Sequence, residues 1–236
     1  MPAKKLQTEV RKDQIAQVAL DVIGRDGLRG LSIARVAARV GLVPSAIYRH
    51  FAGKDQVLDA VLDLIQARLH GNVAAVRDED ADPLEQLRRL LMRHAQLVRD
   101  HHGIPRVLFS DELYAGHPER RARIHAIVGG YVARVADLIR DGQRRHRLPA
   151  SGDPDVLAVM FLGLIQPAAL LWHVSNGEFD VTKQAERAWQ IFSQCLQSDG
   201  RPDHERGTRS LDAQPLSGHR DDLRAPLVAH RPGGAQ

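Results

Sequence analysis

Apolar residues recur along nearly the whole chain at three- and four-residue spacing, the period of helices with one buried face, and no sustained two-residue alternation interrupts them. Ile15, Ala19, Val22 and Ile23 mark the first such face over residues 8–26, and Gly24 and Gly27 punctuate the turn that follows. Ser32 is placed to cap a short helix whose stripe is Ile33, Val36, Ala37 and Val40, and Gly41 stops it. Pro44 opens a second short helix in which Ile47 and Phe51 lie one turn apart. After Gly53, the positions Val57, Leu58, Val61, Leu62 and Ile65 predict a longer helix. Asp82, Pro83 and Glu85 supply a cap, a first-turn proline and an N3 carboxylate for a helix reaching residue 101. A short segment over 105–113 leads to a long helix over 118–143, buried along Ile124, Ile127, Val128, Tyr131, Val135 and Leu138. Asp153 and Pro154 open another to residue 175, and residues 182–198 supply the last.

The pattern predicts an all-α fold of about nine helices. Residues 1–53 form an N-terminal three-helix domain containing a helix-turn-helix, and residues 54–198 a larger helical domain for ligand binding and dimerisation. From residue 199 to 236 Gly, Pro, Arg, Asp and His dominate without an apolar period, which predicts a disordered tail.

The 153–175 helix is apolar nearly all round, so it needs cover on two sides: its own domain and a partner subunit, or the centre of a monomer. The expected dimer contacts are Phe161, Leu164 and Leu171 with Trp189, Phe192 and Leu196. Pro167 should kink this helix and free a carbonyl. Gln166, beside the kink, either lines a ligand cavity or is a satisfied structural amide. Candidate pocket residues are Ile65, Met92, Phe109, Phe161, Gln166 and Trp172, each of which plain core packing also explains.

Composition narrows the function. Of 236 residues, 43% are hydrophobic and 26% charged, ordinary for a soluble globular protein. Apolar runs such as 162–165 and 168–172 stop short of a membrane span, and residues 1–12 hold no apolar signal core, so a cytoplasmic protein with no membrane partner is expected. A single cysteine, Cys195, excludes an intrachain disulfide and a multi-cysteine zinc site. The twelve histidines include His94, His117, His125 and the pair His101–His102, without a tight i, i+4 pair, so no metal site and no cofactor is expected. No nucleophile–base arrangement or Gly-rich phosphate loop stands out, which argues against an enzyme. The net charge is +4, and its placement is informative: residues 1–60 hold ten Lys/Arg against six Asp/Glu, and the rest hold 23 of each. All the positive excess lies at the end that carries the helix-turn-helix, as expected where a polyanion is met.

Ile15, Val36, Ile47, Phe51 and Leu58 are the natural core of that unit, leaving the other face of the second helix for a major groove. Tyr48 and His50 flank the helix and can donate to phosphate oxygens. Lys54, in the first turn of the next helix, is misplaced for the helix dipole unless an anion binds there, and Ser32 sits at another helix start. Ser45, Ala46 and Arg49 are aimed at base edges: Ala46 can meet a thymine methyl, and Arg49 can take a guanine or, equally, a phosphate. So few hydrogen-bonding groups leave part of the choice of site to DNA shape.

The run LSIARVAARVGLVPSAIYRHFAGKDQVLDAVLD, with Ser32, Ala37, Gly41, Tyr48, Phe51, Lys54 and Leu58 at these spacings, resembles the DNA-binding module of the tetracycline-repressor (TetR) family over residues 8–62. Val43 departs from it, standing where a serine or threonine often caps the recognition helix, which valine cannot do. The resemblance implies a homodimer paired through its last two long helices. It also implies a repressor on a palindromic operator of double-stranded DNA, released by a small, mostly hydrophobic effector. An effector behind the 58–76 helix would push it as a lever and spoil the spacing of the two recognition helices. Rival readings are an architectural, ligand-independent regulator and a ligand-binding protein with a vestigial DNA module.

Overall fold

Caps and breakers divide the chain into eleven α-helices among the described residues, which are 2–79, 82–175 and 177–197 of this computed structural model. The tail expected over residues 199–236 lies outside them. Helix α1 (Pro2–Asp26) ends at Gly27, whose φ of 72° is left-handed, and a 3-10 turn at Leu28–Gly30 follows. Helix α2 (Ile33–Val40) starts where the Ser32 hydroxyl accepts from Arg35 N–H at 3.2 Å. It ends at Gly41 (φ 75°) in a Schellman arrangement, with Leu42 N–H donating to the Ala37 carbonyl at 2.9 Å. Helix α3 (Pro44–Ile47) is a single turn with proline at its first position.

Helix α4 (Lys54–Arg77) has 24 residues, about 36 Å of helix, and packs against α1, α5 (Pro83–Asp100) and α8 (Pro118–Arg144). Its inner face, Val57, Leu58, Val61, Leu62, Ile65, Leu69, Val73 and Val76, is enclosed from end to end. One helix therefore contributes to the core of the N-terminal unit and to that of the larger bundle. The described helices all fall within one compact unit, Met1–Gly200. Along one edge of α4, Asp55 accepts from Arg120 at 2.6 Å, and Asp59 and Asp63 both pair with Arg123, the first at 3.2 Å.

Asp82 caps α5 by accepting from Leu84 N–H at 3.2 Å. Glu85 does not take part in a capping box. Hydrogen bonds from Arg88 and Arg89 engage its carboxylate and pull its pKa down to about 2. Where one short segment was expected, α6 (Gly103–Leu108) and α7 (Asp111–Tyr114) form two helices. Helix α6 lies tightly on α1: a Cβ at Gly24 would come within 2.9 Å of Gly103 N, and one at Gly103 would overlap the Leu20 carbonyl oxygen.

The expected 153–175 helix is two helices, α9 (Pro154–Gly163) and α10 (Gln166–Val174), followed by α11 (Val181–Gln197). Pro167 has no N–H to donate and its ring opposes the carbonyl four residues back, so the chain tightens into i−3 bonds. Leu164 N–H donates to Phe161 O and Ile165 N–H to Leu162 O, both at 3.1 Å. Together with the split at Ser110, this break accounts for eleven helices where periodicity suggested about nine.

Contrary to the reading of short apolar runs, Pro154–Val174 has the length and mean hydropathy (1.8) of a membrane-crossing segment. The break inside it and the enclosure of Ala158, Phe161, Ile165, Ala168, Ala169 and Trp172 in the chain's own core describe a bundle helix pair instead. Its hydropathy is high because the opposite face is apolar too. Val156, Val159 (60% exposed), Met160, Leu170, Leu171 and Val174 look outward, as does Ile191 on α11.

Candidate nucleic-acid interface and adjoining groove

Enclosed Ile47 and Phe51 pin α3 and the turn after it to the core, with α3 against α2. The anchoring leaves Val43 (63%), Ser45, Tyr48 (55%) and Arg49 exposed on the single turn of α3 and its flanks. Ala46 is half-buried, and Ser32 is exposed at the start of α2. Of the seven residues expected to face DNA, His50 is the one the structure turns inward. Its Nδ1 is enclosed without a partner, and its ring lines the groove between α1 and α4. His50 is half-buried where Ser45, Tyr48 and Arg49 are exposed.

Lys54 begins α4, where Gly53 provides no side-chain cap and leaves the first-turn N–H groups available. Its Nζ donates to the carbonyl of Leu28 at 3.4 Å, tying it to the turn between α1 and α2. The Arg120 hydrogen bond and charge hold the Asp55 carboxyl below its usual range, and the hydrogen bond ties it to α8. Arg35 and Arg39 both face the one carboxylate of Asp26, at 3.3 and 4.0 Å, which offsets part of their charge within the protein. Val43 stands beside these residues on the exposed flank of α3. Its lack of a capping group was noted, but its exposure offers a methyl surface of the kind that meets thymine C5.

The six expected effector residues differ widely in exposure. Ile65 and Phe161 are fully enclosed and Trp172 nearly so, Met92 and Gln166 are half-buried, and Phe109 is 60% exposed. Phe109 alone of the six lines a groove of about 360 Å3, bounded by the turn at Gly27 and Leu28, by α6 and by α10. The expected dimer contacts divide as well. Leu171 is exposed and Leu164 half-buried, while Phe161, Trp189, Phe192 and Leu196 are closed within the protomer. Those four aromatic and aliphatic groups support α9 and α11 from beneath, with Phe161 and Trp189 ringed around Phe192, and cannot meet a second subunit without unpacking.

The core of the bundle holds a polar pair, His94 Nδ1 and the Tyr131 hydroxyl at 3.0 Å, with the rings edge to face. Burial alone pushes the His94 pKa down to about 4 and the Tyr131 phenol upward, so both are neutral near pH 7. The signal was present in the sequence: His94 falls on the buried stripe of α5 with Leu87, Leu90, Leu91 and Val98.

Residues 15–61 match the family model "Bacterial regulatory proteins, tetR family", and residues 80–196 match "Tetracyclin repressor-like, C-terminal domain". The nucleoid occlusion factor SlmA of Photobacterium profundum is 22% identical over 187 residues, 79% of this chain and 95% of that protein. The fatty acid degradation regulator FadR from Bacillus halodurans has the same fold, with a TM-score of 0.65 at 22% identity over 77% of this chain and 93% of that one. FadR from Bacillus subtilis, solved in complex with stearoyl-CoA, gives 0.63 at 20% identity over 76% and 96%.

Proposed function

The chain belongs to the tetracycline-repressor (TetR) family, as a DNA-binding regulator of transcription that works as a dimer, and from that premise we propose how its residues divide the task. Residues 1–53, with Lys54 at the boundary, meet operator DNA, and residues 54–198 carry the effector and the dimer contact. Ser45 and Arg49 address base edges with Val43 and Ala46 beside them, while Ser32, Tyr48 and Lys54 hold phosphates. Two protomers pair through the parts of α9, α10 and α11 that carry Val159, Met160, Leu171 and Ile191, a contact that leaves Leu170 outside it. The pairing sets two α3 helices about 34–36 Å apart, one turn of a palindromic operator.

The protein represses until a small, mostly apolar effector binds the DNA-incompetent arrangement more tightly. The stearoyl-CoA bound to Bacillus subtilis FadR supports an acyl chain as the apolar part. It acts in the cytoplasm and performs no chemistry of its own. The observation that carries the reading is the joint exposure of Ser45, Tyr48 and Arg49 beside Lys54, around a helix anchored by Ile47 and Phe51. The enclosure of Ile65, Phe161 and Trp172 favours a second reading, DNA binding without an effector, in keeping with the likeness to SlmA.

The test is binding of the purified protein to DNA upstream of its own gene, across a salt series, with Tyr48→Ala/Lys54→Ala as control. Specific, salt-sensitive binding lost in the double variant supports the regulator, and release by acyl-CoA or fatty acid separates the first reading from the second. Failure to bind any genomic fragment specifically refutes both.

A further inference from the structure

We propose that the groove between the α1–α2 turn, α6 and α10 binds a small amphipathic anion, and that its occupancy is transmitted to Lys54. The inference rests on the DNA-binding reading above and gives its effector a place and a chemical class. Leu28, Pro105, Phe109 and Leu170 form apolar walls, and Phe109 and Leu170 are more than half exposed although large and apolar. A volume of about 360 Å3 suits a drug-sized molecule, within the range of about 300–1,000 Å3 that such sites span.

Two nitrogen-bearing side chains, Arg106 and His173, line the same groove. The Arg106 guanidinium reaches only weakly to backbone, with Nη1 at 3.5 Å from Ile23 O and 3.4 Å from Arg25 O, and its Nε is enclosed without a partner. The groove's carboxylate, Glu112, is already engaged by Arg29 at 3.0 Å. Burial, and then the charge of Arg106, depress the pKa of His173, leaving a neutral imidazole that can still donate. An under-coordinated cation set among apolar walls recognises a molecule with an apolar body and a carboxylate, sulfonate or phosphate end.

The route to DNA is short. Leu28 forms a wall of the groove with its side chain's residue, and its carbonyl holds Lys54 Nζ. The next residue, Arg29, pairs with Glu112 on the opposite wall. A body wedged against Leu28 therefore displaces the turn that positions Lys54 and strains the Arg29–Glu112 bridge. Gly27, with a φ of 72° and open space on the side where a Cβ would stand, leaves that turn room to move.

The test uses the full chain and two fluorescent probes that share an N-phenylnaphthylamine body: 1-anilinonaphthalene-8-sulfonate, and N-phenyl-1-naphthylamine, which lacks the anion. Saturable sulfonate binding is expected, weakened about tenfold or more by Arg106→Met, the loss of one charge-assisted contact, while the uncharged probe loses less than about threefold. Phe109→Asp, on an exposed wall, repels the sulfonate about tenfold without touching the core, and decides the matter should Arg106→Met fail to fold. Sulfonate binding unchanged in Phe109→Asp overturns the site. With the site established, sulfonate that leaves specific upstream-DNA binding intact overturns the coupling to Lys54 while the DNA reading stands. Groove-dependent sulfonate binding by a protein that binds no DNA leaves the site standing and sinks the DNA reading.

Discussion

Acidification from pH 7.5 to 5 acts on the buried pair of His94 and Tyr131 in a way whose size can be worked out. His94 is enclosed as the neutral imidazole, with its pKa at about 4 in the fold against 6.5 in a solvated chain. Because the folded value is the lower one, the unfolded state takes up the proton first as pH falls. Stability is complete above pH 6.5 and is lost progressively down to about 4. The full loss corresponds to about 3 kcal/mol, of which about 2 kcal/mol has gone by pH 5. Urea unfolding at pH 7.5, 6 and 5, followed by the fluorescence of Trp172 and Trp189 at one fixed protein concentration, measures it. His94→Leu/Tyr131→Phe removes both partners together and leaves no orphaned hydroxyl, so its stability at pH 7.5 should stay near that of the parent. Other histidines remain in both proteins, so the difference in acid sensitivity isolates this pair. The parent should lose about 2 kcal/mol more than the double variant between pH 7.5 and 5. Equal losses in the two proteins would refute the assignment of a neutral, enclosed His94.

Two further outcomes test the packing. Gly103→Ala places a methyl against the backbone carbonyl of Leu20, which cannot swing aside, so α6 must lift from α1 at a cost of about 1–3 kcal/mol in urea unfolding. An unchanged midpoint would contradict that crossing. Val159→Glu adds a charge to a side chain exposed on the protomer, so the helical circular dichroism should persist while the mass by light scattering falls from dimer to monomer. A variant that remains dimeric would place the subunit contact elsewhere.

Local chemistry was read well from the sequence where a few neighbours decide the outcome. Ser32, Gly41, Asp82 and Asp153 cap or end helices within a residue of where their side chains and φ freedom predict. Ile15, Val36, Ile47, Phe51 and Leu58 are all enclosed around the helix-turn-helix as expected. Errors arise where one helix is apolar on both faces, because periodicity then carries no phase. In α9 and α10 the side chains that look largest and most core-like, Phe161 and Trp172, are the inward ones, and Val156, Val159 and Met160 look out. His50 and Phe109 show the converse limit. Their surroundings are set by segments distant in sequence, α1 for the first and α10 for the second, which no local pattern reports.

The acidic edge of α4 has a mechanical consequence. Asp55, Asp59 and Asp63 recur every four residues, and Arg120 and Arg123 stand about one turn apart on α8. A slip of α8 along α4 by a fraction of a turn parts Arg120 from Asp55 with no new carboxylate in reach. A slip of a whole turn, about 5.4 Å, would set Arg120 at Asp59 and leave Arg123 with Asp63 alone, two pairs in place of three with Asp55 unpaired. The contact behaves as a toothed rack with one register: it resists displacement of the helix that carries Lys54 in either direction along α8.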